Sequence, residues 1–340
     1  RQRLSNPHLD DSQVEAIQFA LQPHRIVSLI HGPPGTGKTT TVVELIRQAV
    51  RQHQWRVLVT APSNVAVDNV LSRLVATNSN KKKDRLRVVR LGHPARLQAD
   101  ILPYSLEALV QAADGTEIVS DVRKELASYL ALLSHSKYET RATARREVRQ
   151  LRREVRQREE GVVKQILQNA QVVLATTVGA AAKILRNSPD FDLVVIDEAA
   201  QALEASCWIP ILKGRRLVLA GDHCQLPPTI QSSQPAVLRG LGRTLFERLM
   251  HLYGDHLASS PSKGKTTGEH TTSPGRVSRM LKIQYRMNQR IADWASKALY
   301  GGQLMTHESV ASQTLSGILN LDGTKGDDDT TDLNAPLLLI

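Results

Sequence analysis

The chain has 340 residues, 41% hydrophobic and 23% charged, enough to bury a core in one large or two smaller domains. Lys and Arg number 44 against 33 Asp and Glu, a net +11 that suits a polyanionic partner such as nucleic acid. Two cysteines, Cys207 and Cys224, exclude a disulfide scaffold and a multi-cysteine zinc site and fit a reducing compartment, while no apolar run approaches the roughly 18 residues that span a bilayer.

In chain order, apolar β-rich runs at Ile26–Ile30, Val57–Thr60, Val172–Ala175, Leu193–Ile196 and Leu217–Ala220 alternate with helical stretches. This predicts buried parallel strands in a doubly wound α/β sheet. The alternation stops after Leu74, where Asn78–Asp84 reads as a polar, lysine-rich turn, and no further core strand is predicted before Val172. Between them, Val119, Val122, Leu126, Tyr129 and Leu133 form one seam at three- and four-residue spacing, and Val148, Leu151, Val155, Val162 and Ile166 form a second. Two helices joined by the polar segment Ser134–Arg145 would zip these seams into an antiparallel hairpin.

The charge is concentrated in the same region. Residues 81–96 carry seven cations against one acid, and residues 137–164 carry ten against five, so these two stretches hold the whole excess. Solvated helix faces explain such clusters, and so does phosphate attraction through Arg149, Arg152, Arg153 and Arg156 beside a single-strand channel. Residues 255–276 are rich in Ser, Thr, Gly, Pro and Lys, a composition expected to stay disordered. Helical pattern resumes over Met280–Leu299, and the closing Pro336–Ile340 reads as a strand cut off at the chain end.

The strongest chemical signal is Gly32-Pro33-Pro34-Gly35-Thr36-Gly37-Lys38-Thr39, followed by Thr40 and a helical stretch, directly after the first predicted strand. This is a Walker A motif. Its glycines turn backbone N–H groups toward phosphates, Lys38 reaches the β and γ phosphates, and Thr39 can ligate Mg²⁺. Leu193–Ile196 leads into Asp197 and Glu198, which suits Asp197 to the same Mg²⁺ and Glu198 to orienting or deprotonating an attacking water. Leu217–Ala220 leads into Gly221-Asp222-His223-Cys224-Gln225-Leu226-Pro227-Pro228, where Gln225 can bridge the γ phosphate and that water.

Together with Gln284-Tyr285-Arg286-Met287 and the block Ala61–Asn69, these motifs resemble the superfamily 1 helicases of the Upf-like group over about residues 6 to 310. The blocks Leu91–Leu97 and Gln201–Pro210 tighten the resemblance to one branch of that group. It implies a RecA-like P-loop NTPase core with an inserted basic helical hairpin and a truncated second RecA-like domain. The expected layout is a first core segment at 1–77, the basic insert at 78–168, a second core segment at 169–254, the loop at 255–276, and at 277–340 the end of the first domain with the start of the second.

The resemblance also implies roles. Gln13 matches the glutamine that reads an adenine edge, Tyr285 the ring stacked on the base, and Arg286 an arginine that touches the γ phosphate. Ser63, Asn64, Thr176 and Thr177 match positions that hold a sugar-phosphate backbone, although the two threonines would equally cap the helix that follows. The implied activity is an ATP- and Mg²⁺-dependent helicase or translocase moving 5′ to 3′ on single-stranded DNA or RNA. It would be a monomer of cytoplasm and nucleus, not of membranes, with a ribosome or RNA-processing complex as further candidate partners.

Two departures stand out: Asn288-Gln289 follows the QYRM block where the group often has His-Pro, and Cys224 stands where a lysine is common. The alternative reading is a catalytically impaired fragment or short isoform that binds nucleotide and nucleic acid but lacks the second motor domain. A P-loop kinase or transporter ATPase would not need the QYRM and GDxxQLPP blocks.

Overall fold

The computed structural model describes residues 6–76, 85–113, 138–186, 188–231, 237–254 and 277–314. Helix α1 (Asp11–Ala20) precedes β1 (Val27–His31), α2 (Lys38–His53), β2 (Val57–Ala61), α3 (Asn64–Ala76) and β3 (Val88–Arg90). There follow α4 (Leu106–Ala113), the long α5 (Tyr138–Asn169), β4 (Val172–Thr176), β5 (Leu193–Ile196), α6 (Glu204–Ile211), β6 (Leu217–Gly221) and α7 (Leu245–Tyr253). The chain continues with β7 (Ser278–Met280), β8 (Ile283–Gln284), α8 (Gln289–Leu299), β9 (Met305–Thr306) and α9 (Glu308–Ala311).

Seven strands form one parallel sheet in the order β3-β4-β2-β5-β6-β1-β7, and β8 pairs with β9 in a separate two-stranded sheet. The central strands are largely apolar because both faces are covered. Val57 and Val59 of β2 join one buried cluster with Ile17, Val42, Leu45, Ile46 and Leu71, whereas Leu58 joins the other with Leu167, Val194, Cys207 and Phe246. Alternate residues of each strand thus feed opposite layers, α1, α2 and α3 on one side and the end of α5 with α6 and α7 on the other.

The five predicted strands are present with ends shifted by no more than a residue, and the α/β class with helices on both faces is the observed one. The sheet also has two strands that the sequence reading lacks. β3 lies within the expected insert yet pairs with β4 in register Val88↔Val172, so residues 88–90 belong to the core. β7 pairs with β1 through Leu29↔Ser278, and the helical pattern expected from Met280 begins only at Gln289. Both are three-residue edge strands that each contain an arginine, Arg90 and Arg279, and are too short to show a period.

The expected polar connection at 134–145 overlaps α5, which begins at Tyr138. Of the second seam, Val148 is buried and Ile166 packs against the second core cluster, joined there by Val163 and Leu167 from outside the seam, and α4 packs on the helix. The seam at 119–133, the turn at 78–84, the loop at 255–276 and the run at 336–340 lie outside the described residues, as do the side chains of Leu151, Arg152, Val155 and Arg156.

Candidate nucleotide and nucleic-acid site

The loop between β1 and α2 is built to keep its backbone polar groups open. Gly37 caps α2 with φ +72° and no side-chain hydrogen bond, so the first-turn N–H groups of a 16-residue helix have no intrahelical acceptor. Those N–H groups and the helix dipole make a phosphate cradle. Gly35 has φ +74°, and a Cβ there would stand 2.6 Å from Arg286 Cβ; at Gly37 it would stand 2.6 Å from Gln13 Nε2. Glycine at both positions therefore permits the left-handed backbone and the approach of two other motifs.

Across the cradle, Lys38 Nζ lies 2.7 Å from Glu198 Oε2. Glu198 holds a left-handed backbone at φ 52°, uncommon for a residue with a Cβ, and its N–H donates to Asp197 Oδ1 at 2.9 Å. Asp197 is 2% exposed, and burial pushes its carboxyl up to about 6, with Lys38 opposing the rise and Glu198 adding to it. A buried carboxyl that resists ionisation and the hydroxyl of a half-buried Thr39 are oxygen donors suited to a hard divalent cation, whose charge would hold Asp197 ionised.

Beyond β6, Asp222 joins three elements. Its Oδ1 accepts from His31 at 2.9 Å, and its Oδ2 accepts from the Tyr300 hydroxyl at 2.7 Å and from Gln225 Nε2 at 2.6 Å. These partners hold its carboxyl at about 2, against the effect of burial. Gln225 is thus fastened to Asp222 at the mouth of the loop, and Gly32 N–H donates to Gly221 O at 3.0 Å alongside.

Gln13 is buried rather than a free surface amide. Its Nε2 donates to Thr36 O at 2.9 Å and its Oε1 accepts from Asp10 N–H at 3.2 Å in a capping box, which fastens α1 to the phosphate loop. The Tyr285 hydroxyl donates to Asp10 Oδ2 at 3.3 Å, its N–H donates to Gly35 O at 2.9 Å, and its ring lies 4.6 Å from that of His307. Arg286 is exposed, with its backbone held by Gln284.

Gln284 is the residue the sequence reading names in a motif but gives no role. It is fully buried, its Oε1 accepts from the N–H groups of Arg286 and Met287, and its Nε2 donates to Met287 O and Thr306 Oγ1. It sets the turn that presents Tyr285 and Arg286. Asn288, standing where the group often has histidine, accepts from Arg290 N–H at 2.9 Å and caps α8.

The second predicted group assembles at the ends of β2 and β4, where Ala61 and Thr176 are in register. Ser63 Oγ accepts from Ala66 N–H, and Thr176 Oγ1 accepts from Gly179 N–H at 2.9 Å, so both hydroxyls also cap the turns that follow them. Thr177 is 2% exposed, which leaves its neighbours as the accessible groups. Asn64 Oδ1 accepts from Arg90 Nη2 at 2.9 Å. Arg90 itself is fully buried, with Nε on Asp68 Oδ1 at 2.8 Å and Nη1 on Leu91 O. The basic stretch at 81–96 is therefore not one solvated face, because Arg90 is consumed inside the fold. Arg149 and Arg153 are exposed on α5.

A family model described as an AAA domain matches residues 8–233, and a second of the same description matches residues 241–339. The DNA-binding protein SMUBP-2 of Mesocricetus auratus is 45% identical over 340 residues, covering 98% of this chain and 31% of that protein. The DNA polymerase alpha-associated DNA helicase A of Schizosaccharomyces pombe is 36% identical, covering 94% of this chain and 43% of that protein. A regulator of nonsense transcripts 1 homolog of Arabidopsis thaliana is 34% identical, covering 92% and 22%. The chain thus spans about a third of the length of SMUBP-2.

Proposed function

We propose, from the premise that the chain belongs to the AAA-domain family and to its superfamily 1 Upf-like helicases, that it is the nucleotide-hydrolysing part of an ATP-dependent motor on single-stranded nucleic acid. The observation that carries this reading is the 2.7 Å pair between Lys38 and Glu198 across an open helix N-terminus. It sets the group that reaches phosphate beside the group that can take a proton from water.

ATP entering the loop would meet the N–H groups of residues 35–40 and draw Lys38 from Glu198 to the β and γ phosphates. Glu198, freed and half-buried, then accepts the proton of the attacking water. Thr39 and Asp197 would hold Mg²⁺, which when bound neutralises phosphate charge. Arg286 would spread its guanidinium toward the γ phosphate from the turn set by Gln284, and Tyr285 would stack on the base beside Gln13. Gln225, held on Asp222, would report the state of the γ phosphate to β1 and to Tyr300 beyond α8. Ser63, Asn64 and Thr176 would grip the sugar-phosphate backbone, with movement 5′ to 3′ following the resembled group.

The decisive variant is Glu198→Gln. It should bind ATP as tightly as the parent chain and lose phosphate release stimulated by single-stranded DNA or RNA by about 100-fold or more. Parental turnover in that variant would refute the role given to Glu198. A second reading is binding of nucleotide and nucleic acid with impaired turnover, as when the resting Lys38–Glu198 pair holds the base away from water. Phosphate release by the parent chain, with and without single strand, separates the two.

A further inference from the structure

Behind Gln225, and sharing Asp222 with it, the described residues hold a cluster of mixed nitrogen, sulfur and oxygen donors. His31 ends β1, and Asp222, His223 and Cys224 directly follow β6. The parallel register His31↔Gly221 sets these two strand ends side by side. One donor atom from each of the four residues lies within 4.8 Å of the other three.

Part of the cluster is a hydrogen-bonded network, in which Asp222 Oδ1 accepts from His31 and from Cys224 N–H, and part of it is open at His223. The two imidazole rings are 4.9 Å apart between centroids, Cys224 Sγ lies 3.8 Å from His223 Nε2, and His31 Nε2 lies 2.9 Å from Asp222 Oδ1. His223 Nε2 is the ring nitrogen that faces the thiol, while its Nδ1 is shut off from solvent with no hydrogen-bond partner. Donors around a tetrahedral zinc stand roughly 3.5 Å apart, so contraction by about 1 Å closes the shell.

We propose that His31, Asp222, His223 and Cys224 form a site for a soft divalent cation of the zinc class, and that its occupation slows ATP turnover. Two imidazoles, a thiolate and a carboxylate suit such an ion and not Mg²⁺, which takes oxygen donors. The Cys224 thiol loses its proton to solvent as the ion binds. Where the related helicases commonly carry a lysine at this position, its ammonium would repel a cation, so the site belongs to the cysteine in this chain. Inhibition follows from sharing, because Asp222 is also the acceptor for Gln225 and Tyr300, and an ion drawing on the carboxylate loosens both. That second half rests on the proposed ATPase reading, whereas the binding half does not.

Cobalt tests the two halves separately. The chain titrated with Co²⁺ in excess Mg²⁺ should develop thiolate-to-cobalt charge transfer and tetrahedral d–d absorption, both abolished by one equivalent of Zn²⁺. Of the two cysteines, Cys207 is fully buried in the core cluster that α6 forms with the sheet, so the thiolate band reports Cys224. Cys224→Ser should lose that band, and His223→Ala should weaken Co²⁺ on the order of 10- to 100-fold or more, with unfolding curves like the parent's. Absence of the band in the parent chain, or parental Co²⁺ affinity in both variants, overturns the site. Zn²⁺ should slow ATP hydrolysis by the parent but not by Cys224→Ser; equal sensitivity overturns the inhibitory role. If the parent hydrolyses no ATP, the cobalt spectrum still decides the site.

Discussion

At Asp197 the fold buries a carboxyl that its surroundings favour in the protonated form, held at about 6 against an ordinary 3.8 chiefly by burial. A folded value above the unfolded one means that the native chain holds this proton more tightly. The associated stability is present at low pH and is lost as pH rises from about 4 through 6. Asp197→Asn should therefore raise stability at pH 8 by up to about 3 kcal/mol, two units at about 1.4 kcal/mol each, and the gain should shrink toward pH 5. Urea unfolding at the two pH values checks this, and the same variant should show no stabilisation by Mg²⁺ with nucleotide. The motif Asp197-Glu198 is legible in the sequence, whereas the burial that sets its proton affinity comes from strands that meet it only in the fold. Arg90 is the converse: it reads as one charge in a basic run, yet it is the internal tie between β3, Asp68 and Asn64. Arg90→Met leaves a buried carboxylate unpaired and should cost about 3 to 5 kcal/mol in urea unfolding. Adding Asp68→Leu should recover most of that loss, while single-strand binding should be weakened in both variants, because Asn64 loses its hydrogen bond to Arg90.

At the scale of elements, periodicity identified what is long and two-sided. The runs that became β1, β2, β4, β5 and β6 are buried on both faces, and their continuous apolar character is the imprint of that burial. β3 and β7 are edge strands of three residues whose pairing partners, β4 and β1, lie more than 80 and more than 240 positions away along the chain, so no local signal announces them. Helix α5 shows the limit from the other side: its charge was evident, and its use is not fixed by composition. If α5 flanks the nucleic-acid track, reversing Arg149 and Arg153 to glutamate should weaken single-strand binding and reduce the salt slope by about 1 to 3, at about 0.7 per phosphate contact. Fluorescence anisotropy with a labelled oligonucleotide across a salt series measures it, and an unchanged slope would leave α5 as a solvated face.

Across the whole molecule, the site is made of residues drawn from nearly the full described length. Gln13, Gly35, Lys38, Glu198, Gln225 and Tyr285 converge because the parallel sheet brings the ends of β1, β5 and β6 to one edge, while α1 and the 284–287 turn close over the phosphate loop. The residue types were readable one motif at a time; their mutual contacts, such as Gln13 on Thr36 and Tyr285 on Gly35, were not, because each spans tens to hundreds of residues. A site assembled this way should respond as a unit. In hydrogen exchange, the amides of β2, β5 and β6, flanked on both sides and covered on both faces, should be among the last to exchange. A non-hydrolysable ATP analogue with Mg²⁺ should then slow exchange at residues 32–40 and 284–287 together, since Tyr285 N–H is bonded to Gly35 O. Protection confined to 32–40 would mean that the 284–287 turn does not close on the nucleotide, and would remove Tyr285 and Arg286 from the site.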